Sequence, residues 1–286
     1  MKRTEMKRIG LWLPILLLAA FSIISCTVSS NQNNEKEVVV KKEVKFKLGV
    51  ASYSLRKFDL DKTLEFTRRL DVDYIAFKSF HLKLDATDAE IAEAVRKTTD
   101  AGLHLYAGGV IYMKTKAEVD QAFEYAKKAG MKIIVGVPDH ELLPYVETKV
   151  KEYDIKVAIH NHGPGDKLYP SAESAYLLIK DMDPRMGLCI DVGHTTRIGR
   201  SPSQDVKDFF DRVFDIHIKD VTKADSDGTT CEIGRGVINF NEFLNDLVDL
   251  GYEGVLALEF EKDGDDPFIG MAESMGYLKG IVSTLK

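Results

Sequence analysis

From Lys47 onward the chain alternates short β-branched runs with longer stretches whose apolar residues recur at helical spacing. The runs predict strands at 47–53, 74–80, 104–110, 132–137, 156–161, 186–191, 214–219 and 254–260. The amphipathic stretches predict helices at 60–70, 88–101, 116–129, 140–152, 171–180, 203–211, 240–250 and 268–284. Helix stops stand at Ala101-Gly102 and Ala129-Gly130. Asp88 and either Asn239 or Asn241 read as N-caps. A helix after every strand implies parallel strands, which can close into a barrel or lie open as a doubly wound sheet. Gly108-Gly109 is not a dinucleotide fingerprint and no P-loop appears. The strand count therefore selects an α/β fold, a single (β/α)8 TIM barrel over 46–286 with no second domain.

Within the last four predicted strands the polar residues keep one parity. Alternate residues of a barrel strand face the helices and the barrel axis. Val157 and Ile159 oppose Ala158, His160 and His162; Leu188 and Ile190 oppose Cys189 and Asp191. Ile216 and Ile218 oppose Asp215, His217 and Lys219; Leu256, Leu258 and Phe260 oppose Ala257, Glu259 and Glu261. Ionisable groups thus point inward at the C-terminal strand ends, where barrel enzymes build their sites. Five of the seven histidines, His140, His160, His162, His194 and His217, fall at or just past the ends of strands four to seven. Buried charges need a compensating cation or a tight network. Two imidazoles and two carboxylates, His160, Asp191, His217 and Glu259, make a mixed nitrogen and oxygen site for one divalent ion: Mn, Co, Zn or Ni rather than Mg. The alternative is a hydrogen-bond network in which each histidine pairs with a carboxylate.

The first residues change the picture of where the protein works. Lys2, Arg3, Lys7 and Arg8 precede an apolar run from Ile9 to Ile24, shorter than the ~20 residues of a spanning helix. Cys26 follows Ser25 in a pattern resembling a bacterial lipoprotein box. Residues 1–25 read as a lipoprotein signal peptide and 26–45 as a lipid-anchored flexible tether. The expected location is the cell envelope, with membrane contact only through the lipid on Cys26. The leader carries four basic side chains against Glu5, so its removal takes the formal charge from −6 to −9. That balance disfavours nucleic acid as a partner. Cys189 and Cys231 are too few for a disulfide framework and read as free thiols.

Ile159-His-Asn-His-Gly163, Ile190-Asp-Val-Gly-His194, Ile216-His-Ile-Lys-Asp220, Ile233-Gly-Arg-Gly236 and Leu258-Glu259 resemble the xylose isomerase-like barrel superfamily, and within it the sugar phosphate isomerase/epimerase group. The resemblance implies metal ligands from strands five to eight, usually Glu, Asp, His and Glu, with vicinal substrate oxygens completing the shell. Asp191, His217 and Glu259 match; His160 stands where glutamate is common. It further implies enediolate chemistry with Glu259 as proton acceptor, and it leaves a two-base epimerisation short of one carboxylate unless His160 or His162 supplies it. Lys219 would stabilise an oxyanion or pair with Asp220 or Glu261. His162 and His194 would bond substrate or support Asp191, while Arg235, His140, Tyr112 and His81 are candidates at the mouth.

Export points to an unphosphorylated sugar or keto-sugar, and no glycine-rich phosphate cradle follows strands seven and eight beyond Gly234-Arg-Gly236. The expected function is a metal-dependent isomerase or epimerase. One alternative is a lyase that removes the C2 proton of a 3-keto-glycoside and expels the aglycone; another is a non-catalytic sugar-binding lipoprotein. Apurinic endonucleases share the barrel but need more metal ligands and a basic face. The sequence leaves the oligomeric state open.

Overall fold

The computed structural model describes residues 43–285. The expected leader, Cys26 and the tether up to residue 42 lie outside them. Eight parallel strands close a barrel: β1 (Lys47–Ala51), β2 (Tyr74–Phe77), β3 (His104–Met113), β4 (Ile133–Pro138), β5 (Lys156–His160), β6 (Met186–Asp191), β7 (Val213–Ile218) and β10 (Val255–Leu258). β1 pairs with both β2 and β10, so no barrel edge is left unpaired. The remaining strands, β8 (Asp220–Val221) and β9 (Thr230–Cys231), form a small antiparallel hairpin after β7.

The helices are α1 (Leu60–Arg69), α2 (Asp88–Asp100), α3 (Lys116–Lys128), α4 (Leu143–Tyr153), α5 (Ala172–Ile179), α6 (Val192–Arg197), α7 (Pro202–Asp208), α8 (Phe240–Leu250) and α9 (Phe268–Leu285). Their apolar faces cover the outward strand residues, and Ile134, Val157, Leu188, Ile216 and Leu256 are fully buried there. Asn239 caps α8 as expected, accepting from the Glu242 N–H. At α2 the cap is Thr87, not Asp88: Thr87 and Glu90 form a reciprocal capping box, which leaves Asp88 inside the first turn. Cys189 and Cys231 are unpaired and buried. Among the described residues no helix is long and apolar enough to cross a membrane.

Two elements escape the periodicity. Helix α6 is one and a half turns long and starts directly from β6, too short to show an apolar stripe. The β8–β9 hairpin has two residues per strand, below any alternation signal.

Inside the barrel the lower layer is apolar and aromatic, with Ala51, Val255 and Ala257 packed by Tyr74 and Tyr106. Asp215 is buried there; it accepts from the Tyr106 hydroxyl at 3.0 Å and the Cys189 thiol at 3.7 Å. Burial pushes its carboxyl up to about 6. This layer is the floor on which the polar cluster rests.

Candidate active site

One layer above, at the C-terminal strand ends, His160, Asp191, His217 and Glu259 converge. One donor atom from each lies within 4.8 Å of all the others, and all four residues are buried. His160 Nε2 stands 3.1 Å from His217 Nδ1 and 3.4 Å from Asp191 Oδ2; His217 Nδ1 stands 3.3 Å from Glu259 Oε2. Donors bound to one ion at about 2.0–2.2 Å stand about 3–3.5 Å apart, so these spacings suit a common cation.

Local structure aims these groups. Asp191 ends β6 and begins α6, and its Oδ1 accepts from the His194 N–H at 2.8 Å. With that oxygen fixed by the helix cap, Oδ2 faces the cluster, toward His160 and the Lys219 ammonium. Its backbone N–H donates to the Asn161 amide oxygen at 2.9 Å, tying β6 to β5. Gly193 explains the Asp-Val-Gly-His motif: a Cβ there would lie 2.5 Å from Lys219 Cγ, so only glycine lets the lysine stem pass.

Lys219 reaches this centre. Its ammonium sits 2.9 Å from Asp191 Oδ2, 2.7 Å from Glu259 Oε2 and 2.9 Å from Glu261 Oε2. Of the two partners considered from the sequence, Glu261 is present. Asp220 is engaged elsewhere, accepting the backbone N–H groups of Val221, Gly234, Gly236 and Ile238 at 2.8–3.3 Å.

These charges move the titrations. Burial opposes it, yet Asp191, Glu259 and Glu261 raise the Lys219 ammonium well above its ordinary value. Likewise against burial, Lys219 and His217 hold the Glu259 carboxyl well below the carboxylate range, and His194 and Lys219 lower Asp191. Burial lowers His160 to about 3, while the carboxylates around His217 raise it despite burial. His160 is therefore a neutral donor at physiological pH, as a metal ligand must be. Three carboxylates face the single ammonium of Lys219, so with both imidazoles neutral, as metal ligands must be, two negative charges would be left over. A divalent cation would balance that charge. The spacing of the four donor atoms fits one such ion.

A cavity of about 250 Å3 opens above the cluster, with His160 and Glu259 at its base and His162, His194, Tyr112 and Tyr53 among its walls. The Tyr112 hydroxyl and His162 Nε2 are 3.0 Å apart with their rings stacked. Burial lowers the His162 pKa, keeping that imidazole neutral. A neighbouring cavity of similar size shares His194 and Glu261 and is walled by Gly228, Thr229 and Thr230.

Three expected mouth residues stand elsewhere. Arg235 is 63% exposed and pairs with Glu273 of α9. Its side chain follows that carboxylate outward, so it does not line the cavity. His140 lies exposed after β4, bonded through Nε2 to the Leu168 carbonyl at 2.9 Å. His81 is a buried structural group between the Ser52 hydroxyl and the Leu55 carbonyl. Conversely, Lys78 and Tyr53 line the cavity without having been singled out, and Glu261, considered only as a partner of Lys219, lines it too. The signal for Lys78 was present, since it continues the parity of Tyr74 and Ala76 one residue past β2 and Tyr74 belongs to the barrel interior. Only the last four strands carry enough ionisable residues to draw notice.

The sequence model of the family described as "Xylose isomerase-like TIM barrel" matches residues 56–281. An uncharacterized protein of Methanocaldococcus jannaschii is 25% identical over 202 residues, which is 68% of this chain and 67% of that one. An inosose dehydratase of Lacticaseibacillus casei is 25% identical over 130 residues, 40% of this chain and 43% of the relative, so less than half of that enzyme is spanned. Among solved structures, an uncharacterized protein from Parabacteroides distasonis superposes with a TM-score of 0.67 at 28% identity, covering 82% of this chain and 99% of that one. A D-psicose 3-epimerase from Clostridium cellulolyticum, with a TM-score of 0.68 and 14% identity over 83% and 99% of the two chains, shares the fold.

Proposed function

Because the chain belongs to the xylose isomerase-like TIM barrel family, we propose that it is a divalent-metal-dependent enzyme that removes the proton beside the carbonyl of an unphosphorylated sugar or keto-sugar. The observation that carries this reading is the convergence of His160, Asp191, His217 and Glu259 on one buried point beneath a small cavity. These four would hold the ion. When bound, it would polarise a carbonyl and the neighbouring hydroxyl and acidify the C–H between them.

The chain's own groups then have distinct tasks. Glu259 Oε2 is engaged by Lys219 and His217, while among the described residues no hydrogen bond reaches Oε1. Oε1 is the end with which Glu259 takes the proton. Lys219 fixes that carboxylate and adds positive charge beside the developing enediolate. His162 and His194 offer nitrogens to substrate hydroxyls from the wall, and Tyr112 holds His162 in place.

Epimerisation or isomerisation is one outcome of this proton removal. Elimination is the second reading, and His160 favours it. With imidazole at the strand-five position, Glu259 has no carboxylate counterpart across the substrate, and expulsion of a group from a 3-keto-glycoside needs only one base. The partial match to an inosose dehydratase supports that direction.

The test is metal content and proton exchange. Protein loaded with manganese or cobalt should hold about one ion per chain and wash deuterium from D2O into the position beside the carbonyl of a ketose or 3-keto-glucoside. Chelation or Asp191→Asn should abolish both. Failure to retain an ion, together with absent exchange, would sink the proposal.

A further inference from the structure

We propose that Lys78 is a catalytic residue of this site, donating a proton to the oxygen that departs from the substrate. The inference rests on the elimination reading above and assigns its second proton transfer.

Lys78 follows the last residue of β2, and its backbone N–H is anchored to the Ser52 hydroxyl at 2.8 Å. Its half-buried side chain lines the same cavity as His160 and Glu259. Nζ donates to the Val110 carbonyl, and the Tyr112 ring lies 5.7 Å away. Among the described residues no carboxylate lies within ion-pair distance. Lys219 makes the contrast: three carboxylates touch its ammonium, so it cannot release a proton cheaply. Lys78 is the one lysine or arginine in the cavity lining, and nothing anionic there is committed to it.

The other lining groups serve less well as acids. His162 Nε2 is taken up by the Tyr112 hydroxyl at 3.0 Å, and burial raises Tyr112, which hardens its hold on the proton. Glu261 is tied to Lys219. For Lys78 burial acts oppositely, lowering the ammonium pKa with Glu259 only partly opposing. A lowered pKa makes its ammonium a stronger acid than an ordinary lysine.

The chemistry balances without another reagent. In a 3-keto-glycoside the C2–H bond breaks, its proton passes to Glu259, and its electron pair forms the C1–C2 double bond. The C1–O bond breaks, its pair leaves with the aglycone oxygen, and that oxygen takes the proton of Lys78. The products are an enone and an alcohol. Water returns Glu259 and Lys78 to their starting states.

The experiment compares two 3-keto-glucosides, one with a nitrophenyl and one with an alkyl aglycone, on metal-loaded unaltered protein, Lys78→Met and Lys78→Arg. A nitrophenolate leaves without help, whereas an alkoxide needs a proton. Lys78→Met should slow alkyl release at least about a hundredfold and nitrophenyl release less than about tenfold. Lys78→Arg should behave the same way, because guanidinium keeps the charge but holds its proton. Metal content and melting temperature, measured alongside, should match the unaltered protein. Equal slowing of both substrates, or full alkyl activity in Lys78→Arg, overturns the acid role. If the unaltered protein exchanges the C2 proton but releases neither aglycone, elimination and the role of Lys78 fail while metal-assisted enolisation stands. If it does not even exchange, the reading of the whole site falls first.

Discussion

Lys219 shows how a single side chain can keep a negatively charged centre folded. Its ammonium is 2% exposed and touches Asp191, Glu259 and Glu261. Removing one member of a buried pair leaves the rest unpaired, at a cost of about 3–5 kcal/mol. Lys219→Met should therefore lower the melting temperature of the metal-free protein sharply. Manganese or cobalt should raise it again by more than in the unaltered protein, because the ion would meet charge that nothing else balances. Equal metal-induced shifts in both proteins would argue against a shared centre.

Most of this centre was legible as parity along strands: His160, Asp191, His217 and Glu259 each lie two residues from an inward neighbour. What parity could not show was the direction of long side chains. Arg235 swings to Glu273 and His140 to a backbone carbonyl, choices made by tertiary neighbours rather than by sequence spacing.

At the scale of elements, the segment after β7 is organised by Asp220. Its carboxylate collects four backbone N–H groups, three of them from Gly234, Gly236 and Ile238. This accounts for the glycines of the Ile-Gly-Arg-Gly motif without a phosphate. A Cβ on Gly236 would stand 2.2 Å from Asp220 Oδ1 and 2.4 Å from the Val221 carbonyl. Gly236→Ala should destabilise the protein by about 1–3 kcal/mol, as overpacking does. Thermal melts check this, and an unchanged melting curve would mean that the carboxylate clasp is not tight. Eight strands and their covering helices followed from periodicity because their apolar faces are long. α6 and the β8–β9 hairpin did not, because each is too short for an apolar stripe: α6 is held by its Asp191 cap and the hairpin by backbone pairing.

For the whole molecule, the closed barrel places His160, Asp191 and His217 on strands that brace one another and Glu259 one residue past β10. The Tyr106–Asp215 layer beneath the cluster closes the floor. The proposed envelope location belongs at this scale, and it rests on residues before the barrel. Cys26→Ser should move the protein from the membrane fraction to the soluble fraction of expressing cells, with no change in the melting temperature of the barrel. Unaltered protein already in the soluble fraction would count against the lipid anchor.

The Asp220 clasp also divides the chain after β7 into a fixed half and an adaptable half. Residues 233–238 are stapled to Asp220, the residue after Lys219, and so are anchored beside the reaction centre. Residues 222–229 loop outward between the hairpin strands, and Gly228 and Thr229 border the second cavity. Diversity confined to that outer loop would alter which bulky substituents the rim tolerates while leaving the reaction centre undisturbed, so an engineer seeking new glycosides would begin there.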